Sequence, residues 1–224
     1  MAPFSDREDG GRALAEVLAP VVQELMAAAP DPTSGVVLGL PRGGVPVAAV
    51  VAARLGLPLD VLVVRKIGMP GHPELALGAL GSGGSRYLNE ELINRMGVTA
   101  AQVAEVVAAE EAELVRRETA YRAGRPALVL HGRTVILVDD GLATGASMRA
   151  AALAVRSRRP AAVLAAAPVG PDDVSARLAD VVDRVVLART PPSFRSVGAC
   201  YADFSQTSDD VVRAALLGGG TPTA

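Results

Sequence analysis

The chain has 224 residues, half of them hydrophobic but only 3% aromatic, so it can bury one sizeable core built from Val, Leu, Ile and Ala rather than from rings. A net charge of -2 with no basic block or stripe argues against a nucleic-acid partner, and the lone Cys200 excludes a disulfide framework or a multi-cysteine zinc site. No stretch approaches a membrane span, and Asp6, Glu8 and Asp9 stand where a signal peptide needs basic residues, so a soluble cytoplasmic protein is expected.

In chain order, Leu14, Val17, Leu18, Val21, Val22 and Leu25 recur at helical spacing and predict a helix over Gly11 to Ala28, which Pro20 kinks or splits. Gly35 to Leu40 is an aliphatic strand running into Pro41-Arg42-Gly43-Gly44, and Val45 to Leu55 is helical. Leu59 to Val64 is a second strand, and the helix between the two predicts a right-handed parallel crossover. From Ile67 to Leu88 repeated glycines and prolines leave only short apolar runs, which predicts a long mobile loop with a hairpin turning at Gly83-Gly84. Thr99 to Tyr121 is a charged helix whose Glu110, Glu111, Glu113, Arg116, Arg117 and Glu118 suit a solvated face. A strand over Val135 to Val138, a helix over Thr144 to Arg156, a strand over Ala162 to Ala167, a helix over Val174 to Ala179 and a strand over Val181 to Leu187 follow. This alternation predicts an α/β fold with a doubly wound parallel sheet in a single domain. Its core runs from about residue 35 to 187, with the mobile loop over about 67–88 and a C-terminal extension over 189–224. In that extension Ser205 to Leu217 is helical and Gly218 to Ala224 frays.

The run that carries chemistry is Val135-Ile136-Leu137-Val138-Asp139-Asp140-Gly141-Leu142-Ala143-Thr144-Gly145-Ala146-Ser147. Four aliphatics end in two acids, and a small-residue turn then opens a helix. Ligands of open α/β sheets bind beyond the carboxyl ends of strands, where these residues fall. A helix N-terminus offers free amides and a positive dipole end, which favour a phosphate. Two carboxylates beside a phosphate would repel it unless they faced sugar hydroxyls or a divalent ion, and a ribose phosphate satisfies both halves. A Walker A loop would need a lysine where Ala146 stands, a dinucleotide fingerprint is absent after the first strand, and there is no nucleophile elbow.

This run resembles the phosphoribosyl pyrophosphate loop of the type I phosphoribosyltransferases, and the element order agrees over about Gly35 to Leu187. The resemblance implies that Asp139 and Asp140 hold the ribose hydroxyls and that Gly141, Leu142, Ala143, Thr144, Gly145, Ala146 and Ser147 surround the ribose 5-phosphate. Asp139-Asp140-Gly141-Leu142-Ala143-Thr144-Gly145 looks more like the adenine enzymes than the hypoxanthine-guanine ones, which carry an acid where Ala143 stands. That departure removes the usual purine-contacting acid from the loop.

By the same resemblance, Arg42, Gly43 and Gly44 form the pyrophosphate loop, where the peptide before the basic residue, here Pro41 to Arg42, is often cis. Arg65-Lys66-Ile67-Gly68-Met69-Pro70-Gly71 resembles the opening of the flexible loop of adenine phosphoribosyltransferases. Arg65 and Lys66 would then reach the pyrophosphate, and Glu74 would take a proton from the acceptor or order the loop. Lys66 is the only lysine among 22 basic residues, which suggests a need for a compact, mobile ammonium. Phe194 and Tyr201, with Phe204 nearby, are candidates to stack on the acceptor.

The expected activity is transfer of ribose 5-phosphate from phosphoribosyl pyrophosphate to a nucleobase-like nitrogen acceptor in nucleotide metabolism. Mg²⁺ would be the cofactor, carried by phosphoribosyl pyrophosphate with Asp139 and Asp140 as candidate ligands, and a second copy of the chain is a candidate partner. The alternatives are a sensor that binds this ligand without turnover, and a hydrolase that uses water as acceptor.

Overall fold

The computed structural model describes residues 2–27, 35–122 and 124–218; the side chains of Pro73 and Glu74 also lie outside the described residues. Its strands are β1 (Gly35–Gly39), β2 (Leu59–Val61), β3 (Val64–Met69), β4 (His72–Gly81), β5 (Ser85–Leu88), β6 (Thr134–Val138), β7 (Ala162–Val169) and β8 (Arg184–Arg189). Its helices are α1 (Arg7–Ala27), α2 (Gly44–Leu55), α3 (Glu90–Arg95), α4 (Ala100–Arg122), α5 (Ala146–Arg156), α6 (Val174–Leu178) and α7 (Asp209–Gly218).

The main sheet is parallel throughout, in the order β2-β1-β6-β7-β8. Strands β1, β6 and β7 are buried along their whole length, because helices cover both faces of the sheet. Alternate strand residues feed two cores. Val37, Ile136 and Leu164 pack with Leu14 and Leu18 of α1, Val47 and Val51 of α2, and Val212 of α7. Val36, Leu137 and Val163 pack with Met148 and Val155 of α5 and Leu178 of α6. The chain leaves β1 for β2 on one side and β6 for β7 and β8 on the other, so strand order reverses between β1 and β6. That reversal opens the crevice in which such sheets bind ligands.

Several expectations need correction. The segment read as a long mobile loop is an antiparallel sheet, β3-β4-β5, whose second hairpin does turn at Gly83-Gly84. Its glycines permit close strand approach: a side chain at Gly78 would overlap the Tyr87 carbonyl oxygen. Ile67, Leu77 and Leu80 bury against Val103, Val107 and Leu114 of α4, which gives this small sheet its own apolar anchor. The strand expected over Leu59 to Val64 is two strands, since the chain leaves the main sheet after Val61 and enters β3 at Val64. Helix α5 begins at Ala146, two residues later than expected, because Gly145 adopts a left-handed backbone (φ 78°). Strand β8 begins only at Arg184, although Val181 and Val182 are buried. Pro20 lies on the exposed side of α1 and does not split it. Helix α3, capped by the Asn89 side chain accepting from the Leu92 amide at 3.0 Å, was not anticipated.

The N-terminal segment pairs with the C-terminal extension. Phe4 donates its amide to the Cys200 carbonyl at 2.8 Å, and Ala202 donates to the Phe4 carbonyl at 2.7 Å. Among the described residues no helix is long and apolar enough to cross a membrane. The expected fraying beyond Gly218 falls outside them.

Candidate active site

Strands β1 and β6 run in register, Gly39 beside Val138, so the loops that follow them emerge side by side. The Leu40 amide donates to the Val138 carbonyl at 2.9 Å and ties the loops at their roots. The first loop contains a cis peptide between Pro41 and Arg42 and then Gly43 and Gly44. Neither glycine has room for a side chain: a Cβ on Gly43 would overlap Asp140 Oδ2, and one on Gly44 would lie 2.6 Å from the Val138 carbonyl oxygen and 2.8 Å from Asp139 Cα. The two motifs read separately from the sequence are therefore in van der Waals contact, and bare backbone makes it possible.

Asp139 and Asp140 sit half-buried at the end of β6, the Asp139 carboxylate accepting from the Asp140 amide at 2.9 Å. Burial, and then the Asp140 charge beside it, push the Asp139 carboxyl up from 3.8 to about 8. Burial also raises Asp140, against the pull of Arg7, whose Nε lies 2.9 Å from Asp140 Oδ2. A site that holds two carboxylates at this cost in desolvation suits hydroxyl donors or a cation.

In the turn that follows, the sequence-based roles separate. Ala143, Thr144, Ala146 and Ser147 are exposed around the N-terminus of α5, where a phosphate could meet free amides. The Thr144 hydroxyl accepts from the Ala146 amide at 3.3 Å. Leu142 belongs to the core instead: its side chain is buried and its amide is spent on the Val169 carbonyl at 2.9 Å. Gly141 is small because Val197 packs against it, for a Cβ there would overlap the Val197 methyls.

The basic pair is split by strand geometry, since consecutive residues of a strand point to opposite faces. Arg65 turns toward α4 and ion-pairs with Glu110, Nε to Oε2 at 2.6 Å, so it is not placed with the binding loops. Glu110, expected on a solvated face, is thereby a partner. Lys66 takes the other face and lines a cavity of about 540 Å³ with Tyr87, Asn89, Ala146, Ser147 and Arg149. The structure thus brings Lys66 to the opening turn of α5. Arg42 is exposed beside Gly43, its Nη1 3.8 Å from Asp209 at the start of α7. The Glu74 side chain lies outside the described residues.

The candidate acceptor contacts change meaning. Tyr201 is buried, its ring 5.6 Å from that of Phe4 and 5.2 Å from that of Phe204, and its hydroxyl donates to the Asp140 carbonyl at 2.6 Å. It braces the acidic loop and has no free face for an acceptor. Phe194 is half-buried against the same Phe4, Val169 and Tyr201 cluster. Arg7 is the residue that sequence reasoning missed. It stands 133 positions from its partner Asp140, and no local spacing could have signalled the pairing.

The family model of the phosphoribosyl transferase domain matches residues 8–190. "Putative phosphoribosyl transferase Rv0571c" of Mycobacterium tuberculosis (strain H37Rv) is 47% identical over 216 residues, which are 96% of this chain and 47% of the relative. The protein named MT0597 of strain CDC 1551 matches to the same extent. The chain spans about half the length of the curated relatives it matches. The crystal structure of TT1426 from Thermus thermophilus superposes with a TM-score of 0.86 at 42% identity, covering 99% of this chain and all of that one.

Proposed function

Since the chain belongs to the phosphoribosyl transferase family, we propose that it transfers the ribose 5-phosphate of phosphoribosyl pyrophosphate to a nucleobase-like nitrogen acceptor and releases pyrophosphate. The observation that carries this reading is the contact of Gly43 and Gly44 with Asp139 and Asp140 at the strand-order reversal. It sets the bare backbone of Gly43 and Gly44 against the two acids, with the N-terminus of α5 one loop away, the arrangement that pyrophosphate, ribose hydroxyls and a 5-phosphate would need.

Each element then has a task. The exposed turn Ala143 to Ser147 holds the 5-phosphate, and Asp139 with Asp140 takes the ribose hydroxyls. Arg42 and the backbone of Gly43 and Gly44 hold pyrophosphate. In the reaction the bond from ribose C1 to the pyrophosphate oxygen breaks and a bond from the acceptor nitrogen to C1 forms. The acceptor's proton goes to a base, for which Glu74 is the proposed residue. Positive charge develops on the ribose, where the acids stabilise it, and negative charge grows on the departing pyrophosphate, where Arg42 and Lys66 do.

Among the described residues no group of three or more His, Cys, Asp or Glu side chains is placed to hold a metal ion. Mg²⁺ would enter on the pyrophosphate oxygens, with Asp139 and Asp140 as its candidate protein ligands. When bound it supplies charge neutralisation of the leaving group.

The test is a screen of nucleobases and other nitrogen acceptors for pyrophosphate release from phosphoribosyl pyrophosphate with Mg²⁺. Release with formation of a nucleotide supports transfer. Release with water as the only acceptor, or tight binding without release, overturns it in favour of a hydrolase or a sensor.

Two outcomes follow for single residues. Thr144→Val should weaken phosphoribosyl pyrophosphate binding by about 1.5 to 3 kcal/mol, the value of a hydrogen bond to a charged group, whereas Thr144→Ser should stay near wild type. Calorimetric titration checks this, and equal affinity in all three proteins removes the hydroxyl from the site. Lys66→Ala should lower turnover roughly 10- to 100-fold, and Lys66→Arg should lower it measurably, because a planar guanidinium does not replace a compact ammonium beside Ser147. Turnover and melting temperature are read together; a Lys66→Arg enzyme as fast as wild type removes any special role for this lysine.

A further inference from the structure

The acidic loop is gripped by Arg7 near the start of the chain and by Tyr201 in the C-terminal extension. Arg7, the first residue of α1, has only 13% of its side chain exposed and meets the Asp140 carboxylate, itself 15% exposed, at 2.9 Å. The rest of its guanidinium is also committed. Nη1 donates to the Ser205 carbonyl at 2.8 Å, and the group lies 4.1 Å above the Phe204 ring. Phe204 stacks on Tyr201, whose hydroxyl returns to the Asp140 carbonyl at 2.6 Å. Burial and the nearby Asp140 raise the Tyr201 hydroxyl well above its ordinary range, so it remains a donor at neutral pH. Asp140 is thus held twice, by its carboxylate from α1 and by its carbonyl from the C-terminal extension.

The grip is also selective. Arg7 takes Oδ2 alone, and among the described residues no other side chain donates to Oδ1. Gly43 closes the other side, since a Cβ there would overlap Asp140 Oδ2 and approach Arg7 Nε to 3.3 Å. A planar guanidinium anchored at three points is well suited to fix the rotation of one carboxylate while balancing its charge.

We propose that Arg7 is a positioning residue for ribose recognition, which locks Asp140 by Oδ2 so that Oδ1 is presented to a ribose hydroxyl. This rests on the proposed function, in which Asp140 meets the ribose. Arg7 offsets the Asp140 charge that would otherwise repel the pyrophosphate entering beside Gly43. It acts through Asp140 and touches neither C1 nor the leaving group.

The experiment is a double-mutant cycle read by calorimetric titration with phosphoribosyl pyrophosphate and Mg²⁺. Arg7→Ala should weaken binding about 10- to 100-fold in the wild-type background, the worth of one oriented, charge-assisted hydrogen bond, and Arg7→Lys should recover part of the loss. In the Asp140→Asn background the same Arg7→Ala change should cost little further, because the carboxylate through which it acts is gone. An equal loss in both backgrounds would assign Arg7 a packing role toward Ser205 and Phe204 and overturn the proposal, as would wild-type affinity in Arg7→Ala. If Arg7→Ala does not fold, Arg7→Gln, which keeps a stem over Phe204 without the charge, makes the same comparison. Failure of the wild-type protein itself to bind phosphoribosyl pyrophosphate would instead overturn the proposed function.

Discussion

Replacing both acids, Asp139→Asn with Asp140→Asn, is expected to lower pyrophosphate release by about 10²- to 10⁴-fold while the protein stays folded. With phosphoribosyl pyrophosphate and Mg²⁺ bound both acids act as carboxylates, and each would give up one hydrogen bond to a ribose hydroxyl, worth about 1.5 to 3 kcal/mol when one partner is charged; tenfold in rate corresponds to about 1.4 kcal/mol. The fold should survive because neither change alters volume, and the amide oxygen introduced by Asp139→Asn can still accept from the backbone amide that Asp139 Oδ1 now serves. Full turnover in the folded double variant would place the ribose elsewhere.

Asp139→Asn alone also has a pH signature. In the ligand-free protein burial and then the neighbouring Asp140 raise the Asp139 carboxyl to about 8, whereas an unfolded Asp releases its proton near 3.8. Between those values the unfolded chain binds fewer protons than the native one, so wild-type stability falls as pH rises through that window and levels off above it. Asn carries no such proton. The melting temperature of Asp139→Asn relative to wild type should therefore rise from pH 5 to pH 8, and a difference that stays constant over that range would show Asp139 already ionised in the native protein.

The largest stability loss is expected for Arg122→Ala. Arg122 and Asp60 are each about 9% exposed, with Nη1 2.7 Å from Asp60 Oδ2 and Nη2 donating to the Val61 carbonyl at 3.0 Å. Asp60 also accepts from the Val61 and Leu128 amides at 2.7 and 3.2 Å, so removing Arg122 strands a buried carboxylate that cannot move into solvent without breaking the backbone around it. Breaking one half of a buried pair costs about 3 to 5 kcal/mol, which in a chain of this length lowers the melting temperature by roughly 6 to 20 °C. Asp60 lies in β2 just before the chain departs for β3, so the same change should loosen the small sheet that carries Lys66 and reduce turnover as well. Denaturant unfolding checks the first part, as a lower midpoint at unchanged slope. A loss below about 1 kcal/mol would mean that water screens the pair as it does a surface one.

The acidic loop was legible in the sequence because everything that defines it lies in one continuous run, Val135 to Ser147. An aliphatic run specifies a buried parallel strand, adjacent acids mark its carboxyl end, and Gly145 allows the turn into α5; each step depends on near neighbours along the chain. The same locality made Pro41 to Gly44 readable as a second loop, and the strand and helix alternation readable as a doubly wound sheet. What the tertiary structure alone decided were the partners of side chains and the fate of segments with weak local signals. Ile67 to Leu88 is too rich in glycine to announce strands, yet cross-strand hydrogen bonds and burial against α4 make it a sheet. The pleat of β3 then sends Arg65 to Glu110 and Lys66 toward Ser147, separating a pair that looks like one basic patch in sequence. Leu142 turned inward and Tyr201 became a brace for the same reason: a side chain's role follows from which elements pack beside it. Arg7 reaches Asp140 only after α1 docks across the sheet, and that docking is driven by apolar burial at Leu14 and Leu18, which carries no information about the charge delivered at the end of the helix.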